Sequence, residues 1–337
     1  MKKISSAIKY ILLLALAGVF LWATFKGVKW EDFIAGLSSA NYYWITLSMS
    51  ISVFAFLVRA LRWRLLMQPL GKKIKIRDSW DGINIGYLTN FAIPRAGELA
   101  RCGVITRKTG IPFETVAGTV VLERSIDLLT LILVFFSILI FSWDTFGAFI
   151  NIEIIDVLER KFSVSLVWML AAAILAFFVF VYIVYKYRKK HPIFIKITDI
   201  VRGLIKGIMS GFRMPQKWLF LIYTVLLWVC YWLMSWTTIL AFPAVYGLGA
   251  GDALFLMMIG GLGWVIPVQG GIGAYHFILS LALASVYGIT LTTGVIFATI
   301  SHESQALTMI ICGSISLISF TLSKRRDMNN QKSSSAI

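Results

Sequence analysis

Six apolar runs, near residues 8–25, 42–66, 113–141, 164–186, 218–242 and 291–321, are each close to the length needed to cross about 30 Å of hydrocarbon. Backbone groups at that depth must bond within their own segment, so the runs predict membrane-spanning helices and an all-α polytopic membrane protein. Composition agrees. The chain is 58% hydrophobic and 14% charged, with mean hydropathy +0.81, whereas a soluble protein carries about 25% charge. Spans consume most of the 337 residues and leave no room for a large soluble catalytic domain. Lys2, Lys3 and Lys9 ahead of the first run resemble a signal peptide, but the run continues to Phe25 and meets Lys26 and Gly27 rather than a small-residue cleavage site. The first run is therefore read as an uncleaved span. Residues 1–325 form a single transmembrane domain, and the polar, Ser-rich tail at 326–337 is expected to be disordered.

Two further stretches do not suit a plain span. Residues 79–108 are broken by Pro94 and Gly97, and residues 252–287 by Gly260, Gly261, Gly263, Pro267, Gly270, Gly271 and Gly273. Such breaks free backbone groups, which at membrane depth need protein or a wet cavity to satisfy them. Both stretches are expected to be re-entrant helical hairpins. Basic residues test the topology. With the amino terminus inside, the cytoplasmic pieces hold the basic residues at 2–9, 59–108, 186–217 and 324–326, while Lys26, Lys29, Arg160 and Lys161 lie outside with most of the loop acids. That asymmetry follows the positive-inside rule and places both termini in the cytoplasm. The net charge of +16 then reports topology and attraction to anionic headgroups. Nucleic acid is not expected as a partner, because the basic residues border spans. Segments 72–81 and 193–213 mix basic with apolar residues as interfacial amphipathic helices do.

The two broken stretches match weakly. Ile93-Pro94-Arg95-Ala96-Gly97 aligns with Ile266-Pro267-Val268-Gln269-Gly270, and Gly110-Ile111 with Gly288-Ile289. From there Thr115, Glu123, Asp127 and Thr130 align with Thr293, Ser301, Gln305 and Thr308. Thr115, Thr119, Glu123 and Asp127 recur every fourth residue and form one polar stripe on a helix. In the topology above the matched helices run oppositely, which predicts an inverted repeat of the kind found in secondary transporters.

Charge inside a span is costly and marks sites or pathways. In the first hairpin, Pro94 and Gly97 would free N–H groups at the positive end of a half-helix, with Arg95 and Arg101 able to add charge-assisted contacts to a phosphate. The bland alternative is that Glu98 and Arg101 pair and pin the hairpin to the interface. Glu123, Arg124 and Asp127 lie about ten residues into a span. They either neutralise an arginine of the hairpin, titrate, or clamp helices together. Arg59, Arg62 and Arg64 close the second span and read first as topology determinants, with Arg62 also able to hold phosphate. Gly270 and Gly271 permit close backbone approach, and His302 beside Glu303 is a candidate proton relay. Cys102, Cys230 and Cys312 are scattered and show neither a disulfide framework nor metal-ligand spacing. No metal or other cofactor is expected, and no GxxxxGK[ST] motif is present.

Asn90 followed by Pro94-Arg95-x-Gly97-Glu98-x-x-Arg101, then Glu123-Arg124-x-x-Asp127, and later Pro267-x-x-Gly270-Gly271-Ile272-Gly273, resemble the motifs of the lysylphosphatidylglycerol synthase transmembrane-region family, the flippase-like domain proteins. The resemblance covers nearly the whole chain. It implies a lipid transporter of the bacterial or archaeal cytoplasmic (inner) membrane, similar to the region of multiple peptide resistance factors that moves aminoacylated phosphatidylglycerol between leaflets. The chain departs from those relatives in ending soon after the last span, without a synthase domain, and in placing His276 where many carry an acidic residue. The expectation is a flippase or scramblase, not an enzyme, for an anionic or phosphate-linked lipid. Asn90, Arg62, Arg95, Glu98, Arg101, Glu123, Arg124, Asp127, Gly270, Gly271, His302 and Glu303 would form the headgroup and transport site. Two alternatives stay open: an intramembrane lipid-modifying transferase using the acids as general acid and base, and a non-transporting partner subunit of a separate lipid-synthesising or glycan enzyme. An oligomer is also compatible with the sequence.

Overall fold

The computed structural model describes residues 2–141 and 214–334, with isolated helical positions at 168, 172, 175, 176, 179 and 186. The expected span at 164–186 therefore lies largely outside the described residues, and the expected interfacial segment at 193–213 lies wholly outside them. The continuous helices are α1 (Lys2–Phe25), α2 (Trp30–Ser39), α3 (Tyr42–Met67), α4 (Ile76–Ala92), α5 (Gly97–Thr109), α6 (Phe113–Phe141), α7 (Lys217–Leu240), α8 (Ala250–Val265), α9 (Ala274–Tyr287) and α10 (Leu291–Ser334). No strand occurs among the described residues, so the all-α expectation holds.

Four segments among the described residues are long and apolar enough to cross a membrane: Tyr42–Leu70, Lys217–Leu240, Gln269–Tyr287 and Leu291–Ser323. A fifth results if Leu12–Phe25 and Trp30–Ser39, which meet at 86°, count as one broken span. The protein is thus a multi-pass membrane protein. Six plain spans are expected from the sequence; the one at 164–186 lies largely outside the described residues, and the remaining differences have local causes. The first run does not pass straight into the next one but turns at Gly27, whose φ of +88° suits glycine. α6 keeps the expected bounds at 113–141 and carries Glu123, Arg124 and Asp127 along its length. In the second hairpin region the break falls early, so that the arm Gln269–Tyr287 alone reaches span length.

Both broken stretches fold back on themselves. Along α4 the order Gly86, Gly82 meets α5 in the order Gly97, Arg101, which makes the pair antiparallel. Neither Gly86 nor Gly97 has room for a side chain: a methyl at Gly86 would lie 2.9 Å from the Gly97 carbonyl, and one at Gly97 would lie 2.7 Å from the Asn90 amide. α8 and α9 pair in the same antiparallel sense, with Gly263 against the Tyr275 backbone and Phe255 beside the Tyr287 ring at 6.2 Å. The hairpin tips touch. Gly270, at φ +55°, is packed against the Phe91 ring, and Arg95 donates to the Val265 carbonyl.

α10 joins the two hairpins. Gly294 seats it on Ser280 of α9, and Gly313 seats it on Asn84 and Leu88 of α4. Large apolar side chains fill the remaining space, with one cluster around Trp63, Leu66 and Ile105 and another around Phe255, Leu279 and Phe297. Two local expectations change. Residues 76–81, read as part of an interfacial helix, open α4 instead, and Ser79 and Asp81 are buried there. The tail expected to be disordered from 326 continues α10 as far as Ser334. Adding turns to an existing helix needs no new nucleus, which lets a polar segment follow an apolar one in the same conformation.

Candidate functional site

α3 presents small residues at Ser48, Ser52 and Ala55 on the face that continues through Arg59, Arg62 and Leu66, all buried. These positions recur at helical spacings of three and four, so the two arginines point inward with the small residues. α6 answers with Thr119, Glu123 and Asp127. Trp63 Nε1 donates to Thr119 Oγ1 at 3.0 Å and fixes the register of the two helices. α5 brings Arg101 over the Trp63 ring, 4.8 Å from its centroid.

Glu123, fully buried, is where these elements converge. Its Oε1 accepts from Arg59 Nε at 3.0 Å and Nη2 at 2.8 Å, and lies 3.4 Å from Arg62 Nη2. Its Oε2 accepts from Arg101 Nη1 at 3.0 Å. Asp127 faces Arg62 Nη1 at 2.7 Å, Arg59 Nη2 at 3.5 Å and Arg124 Nη1 at 3.7 Å. Arg124 also reaches Glu98 at 3.6 Å. Among the described residues, four arginines (Arg59, Arg62, Arg101, Arg124) therefore face three carboxylates (Glu98, Glu123, Asp127), leaving one positive charge in excess. Arg59 Nη1 donates to the Tyr87 hydroxyl at 3.0 Å and reaches the Tyr231 hydroxyl at 3.5 Å. Arg101 Nε and Nη2 are buried and have no hydrogen-bond partner among the described residues.

A cleft of about 220 Å³, including its open mouth, adjoins this network. It is lined by Arg59 of α3, by Ile83, Gly86, Tyr87 and Asn90 of α4, by Gly97, Glu98 and Arg101 of α5, and by Arg124 of α6. The cleft lies between the first hairpin and α3 and α6, rather than between the two hairpins. It collects buried and half-exposed cationic donors beside a helix start, an arrangement able to hold one phosphate-sized anion.

Of the residues expected at the site, Arg62, Glu98, Arg101, Glu123, Arg124 and Asp127 come together in the network. Asn90 lines the cleft, but its Oδ1 accepts from the Gly97 N–H at 2.7 Å, so the N–H expected to face an anion is already occupied. Glu98 pairs with Arg124 and not with Arg101, which turns inward to Glu123. Arg95 stands apart. It is exposed, adopts φ +64°, and spends its guanidinium on Val265 of the other hairpin. Arg59, read from the sequence as a topology determinant, joins the network, as do Tyr87 and Tyr231, for which no role is read from the sequence. Arg59 had a signal in the spacing, since it continues the small-residue face of α3.

Gly270, Gly271, His302 and Glu303 form a separate cluster with His276. His302 contacts the Gly270 carbonyl through Nε2 at 2.8 Å and Glu303 Oε1 through Nδ1 at 2.9 Å. His276 Nε2 lies 3.6 Å from the same Oε1. Trp264 stacks on His302 at 4.9 Å, and Gly271 admits that packing because a side chain there would meet Trp264 at 3.1 Å. The possible ligand atoms of His276, His302 and Glu303 all fall within 4.8 Å of one another.

No curated protein was found similar enough to count as a match. The family model for the lysylphosphatidylglycerol synthase TM region matches residues 10–313, which include both hairpins and every residue of the arginine and carboxylate network, and the chain belongs to that family.

Proposed function

We propose that the protein moves an anionic or phosphate-linked lipid between leaflets, as a flippase or scramblase, with the headgroup phosphate engaging Arg101 at the cleft. The observation that carries this reading is the pair of buried, unpartnered Arg101 donors beside a network with one surplus positive charge. Buried cationic donors without partners are expensive unless an acceptor is present for part of the working cycle. The cleft is narrow and open at its mouth, with room for a small group and not for a whole lipid. It suits a headgroup phosphate whose acyl chains stay in the bilayer. Membership of a lipid-related membrane family supports the same substrate class.

The acids support transport over catalysis. Both Glu123 oxygens accept from arginines, so Glu123 serves as a fixed counter-charge and not as a free general base. Transport is tested in liposomes carrying a labelled anionic lipid. Wild type should accelerate exposure of the label, and Arg101→Lys should slow it roughly tenfold, the factor for about 1.4 kcal/mol. Lysine retains a charge for Glu123 and loses the fork geometry. Equal rates for wild type, Arg101→Lys and empty liposomes would remove the proposal. Conversion of the lipid to a new species would favour the transferase.

A further inference from the structure

We propose that His276, His302 and Glu303 bind a divalent transition-metal ion of the zinc class, tying the tip of the second hairpin to α10. The argument starts from the two acceptors around His302. A carbonyl oxygen only accepts, so the contact with Gly270 at 2.8 Å puts a proton on Nε2. In the neutral ring the Nδ1 lone pair then points at Glu303 Oε1, another acceptor, at 2.9 Å. Two acceptors at that separation require a cation between them. A proton serves that one pair and leaves His276 out of the arrangement. His276 is nevertheless buried against it, with Nε2 at 3.6 Å from the same oxygen and with Nδ1 lacking a hydrogen-bond partner among the described residues. One metal ion accepts electron pairs from all three side chains.

The dimensions allow it. Metal–ligand bonds of about 2.0–2.2 Å at tetrahedral angles place ligand atoms roughly 3.4 Å apart. Glu303 Oε1 already stands 2.9 Å from His302 Nδ1 and 3.6 Å from His276 Nε2, so the contraction falls on the two imidazoles, whose ligand atoms lie within 4.8 Å of one another and must draw together as the ion binds. Two imidazoles with a carboxylate suit zinc. The His302 Nε2–H to carbonyl contact is the outer-shell bond that orients a ligating histidine. Three protein ligands also leave a coordination position for water or an anionic oxygen.

The test uses the full chain, purified in detergent, stripped with chelator, and titrated with Zn²⁺ and Co²⁺. The expected result is one equivalent of either ion per chain, a visible Co²⁺ spectrum without a thiolate band, and a rise in the thermal unfolding midpoint on Zn²⁺ addition. His276→Gln and Glu303→Gln should each weaken binding by more than the roughly 10- to 100-fold that follows loss of an outer-shell partner. Their unfolding midpoints without metal should stay near wild type, which separates lost binding from lost folding. No bound ion in the wild type would overturn the proposal. So would a thiolate band, which assigns the ion to cysteine, or undiminished binding in both variants.

Discussion

Glu123 compensates three buried arginines at once, and its replacement tests what holds the first half of the molecule together. Glu123→Gln leaves Arg59, Arg62 and Arg101 without their shared counter-charge and should cost about 3–5 kcal/mol, the range for breaking a buried ion pair. Unfolding of the purified protein in detergent reads this as a lowered midpoint. Arg64→Ala, on the same helix end but outside the network, should change stability by no more than about 0.5 kcal/mol. The contrast shows what the sequence concealed. Arg59, Arg62 and Arg64 form one basic cluster along the chain, and topology explains all three equally well. Only the phase of the helix separates them: Arg59 and Arg62 continue the Ser48, Ser52 and Ala55 face, and Arg64 does not. Arg95 and Arg101 looked equivalent for the same reason. A left-handed backbone at Arg95 turns it toward Val265, and no pattern of residue types announces that turn.

At the scale of helices, glycine spacing decides whether the first hairpin closes. Gly97→Ala would drive a methyl into the Gly86 backbone and the Asn90 amide. It should cost about 1–3 kcal/mol as an overpacked contact. Gly103→Ala, in the same helix with open space at that position, should be neutral or stabilising by about 0.5–1 kcal/mol, since alanine favours the helix. Thermal unfolding of the two variants side by side checks the pair. A Gly97→Ala variant as stable as Gly103→Ala would mean that the close packing of α4 on α5 is not what holds the hairpin. The hairpins themselves were legible, because Pro94 and the glycines from Gly260 to Gly273 interrupt apolar sequence. So were the helix ends at Gly110 and Gly288, aligned in sequence and both left-handed in the structure. Cap chemistry was less legible. Asn90 serves the Gly97 N–H across the break, a partnership seven residues long that depends on how the chain turns between them.

For the molecule as a whole, the question is whether the two hairpins move together. Their tips meet through the Phe91–Gly270 packing and the Arg95–Val265 contact, and α10 seats on both hairpins through Gly294 and Gly313. Motion that opens the Arg101 cleft must therefore either carry the second hairpin along or break the tip contact. Arg95 and Phe91 are accessible enough for their loss to leave the cores filled, so Arg95→Ala combined with Phe91→Ala should alter stability by no more than about 1–2 kcal/mol. Its effect should fall on coupling. Spin labels at Leu99 and Leu262, both exposed and on opposite hairpins, measure this in a chain with Cys102, Cys230 and Cys312 replaced by serine. The wild-type background should give one narrow distance distribution. The double variant should broaden it and slow lipid exposure in the same preparation. An unchanged distribution with slowed transport would assign Arg95 and Phe91 to the lipid path itself, and unchanged transport with a broadened distribution would show that the hairpins work independently. The coupled outcome is favoured by Gly270, which is held in a left-handed turn, contacted by His302 through its carbonyl, and pressed against Phe91. A displacement at either hairpin thus has a route to the other through this backbone position, beside the Arg95–Val265 contact and α10.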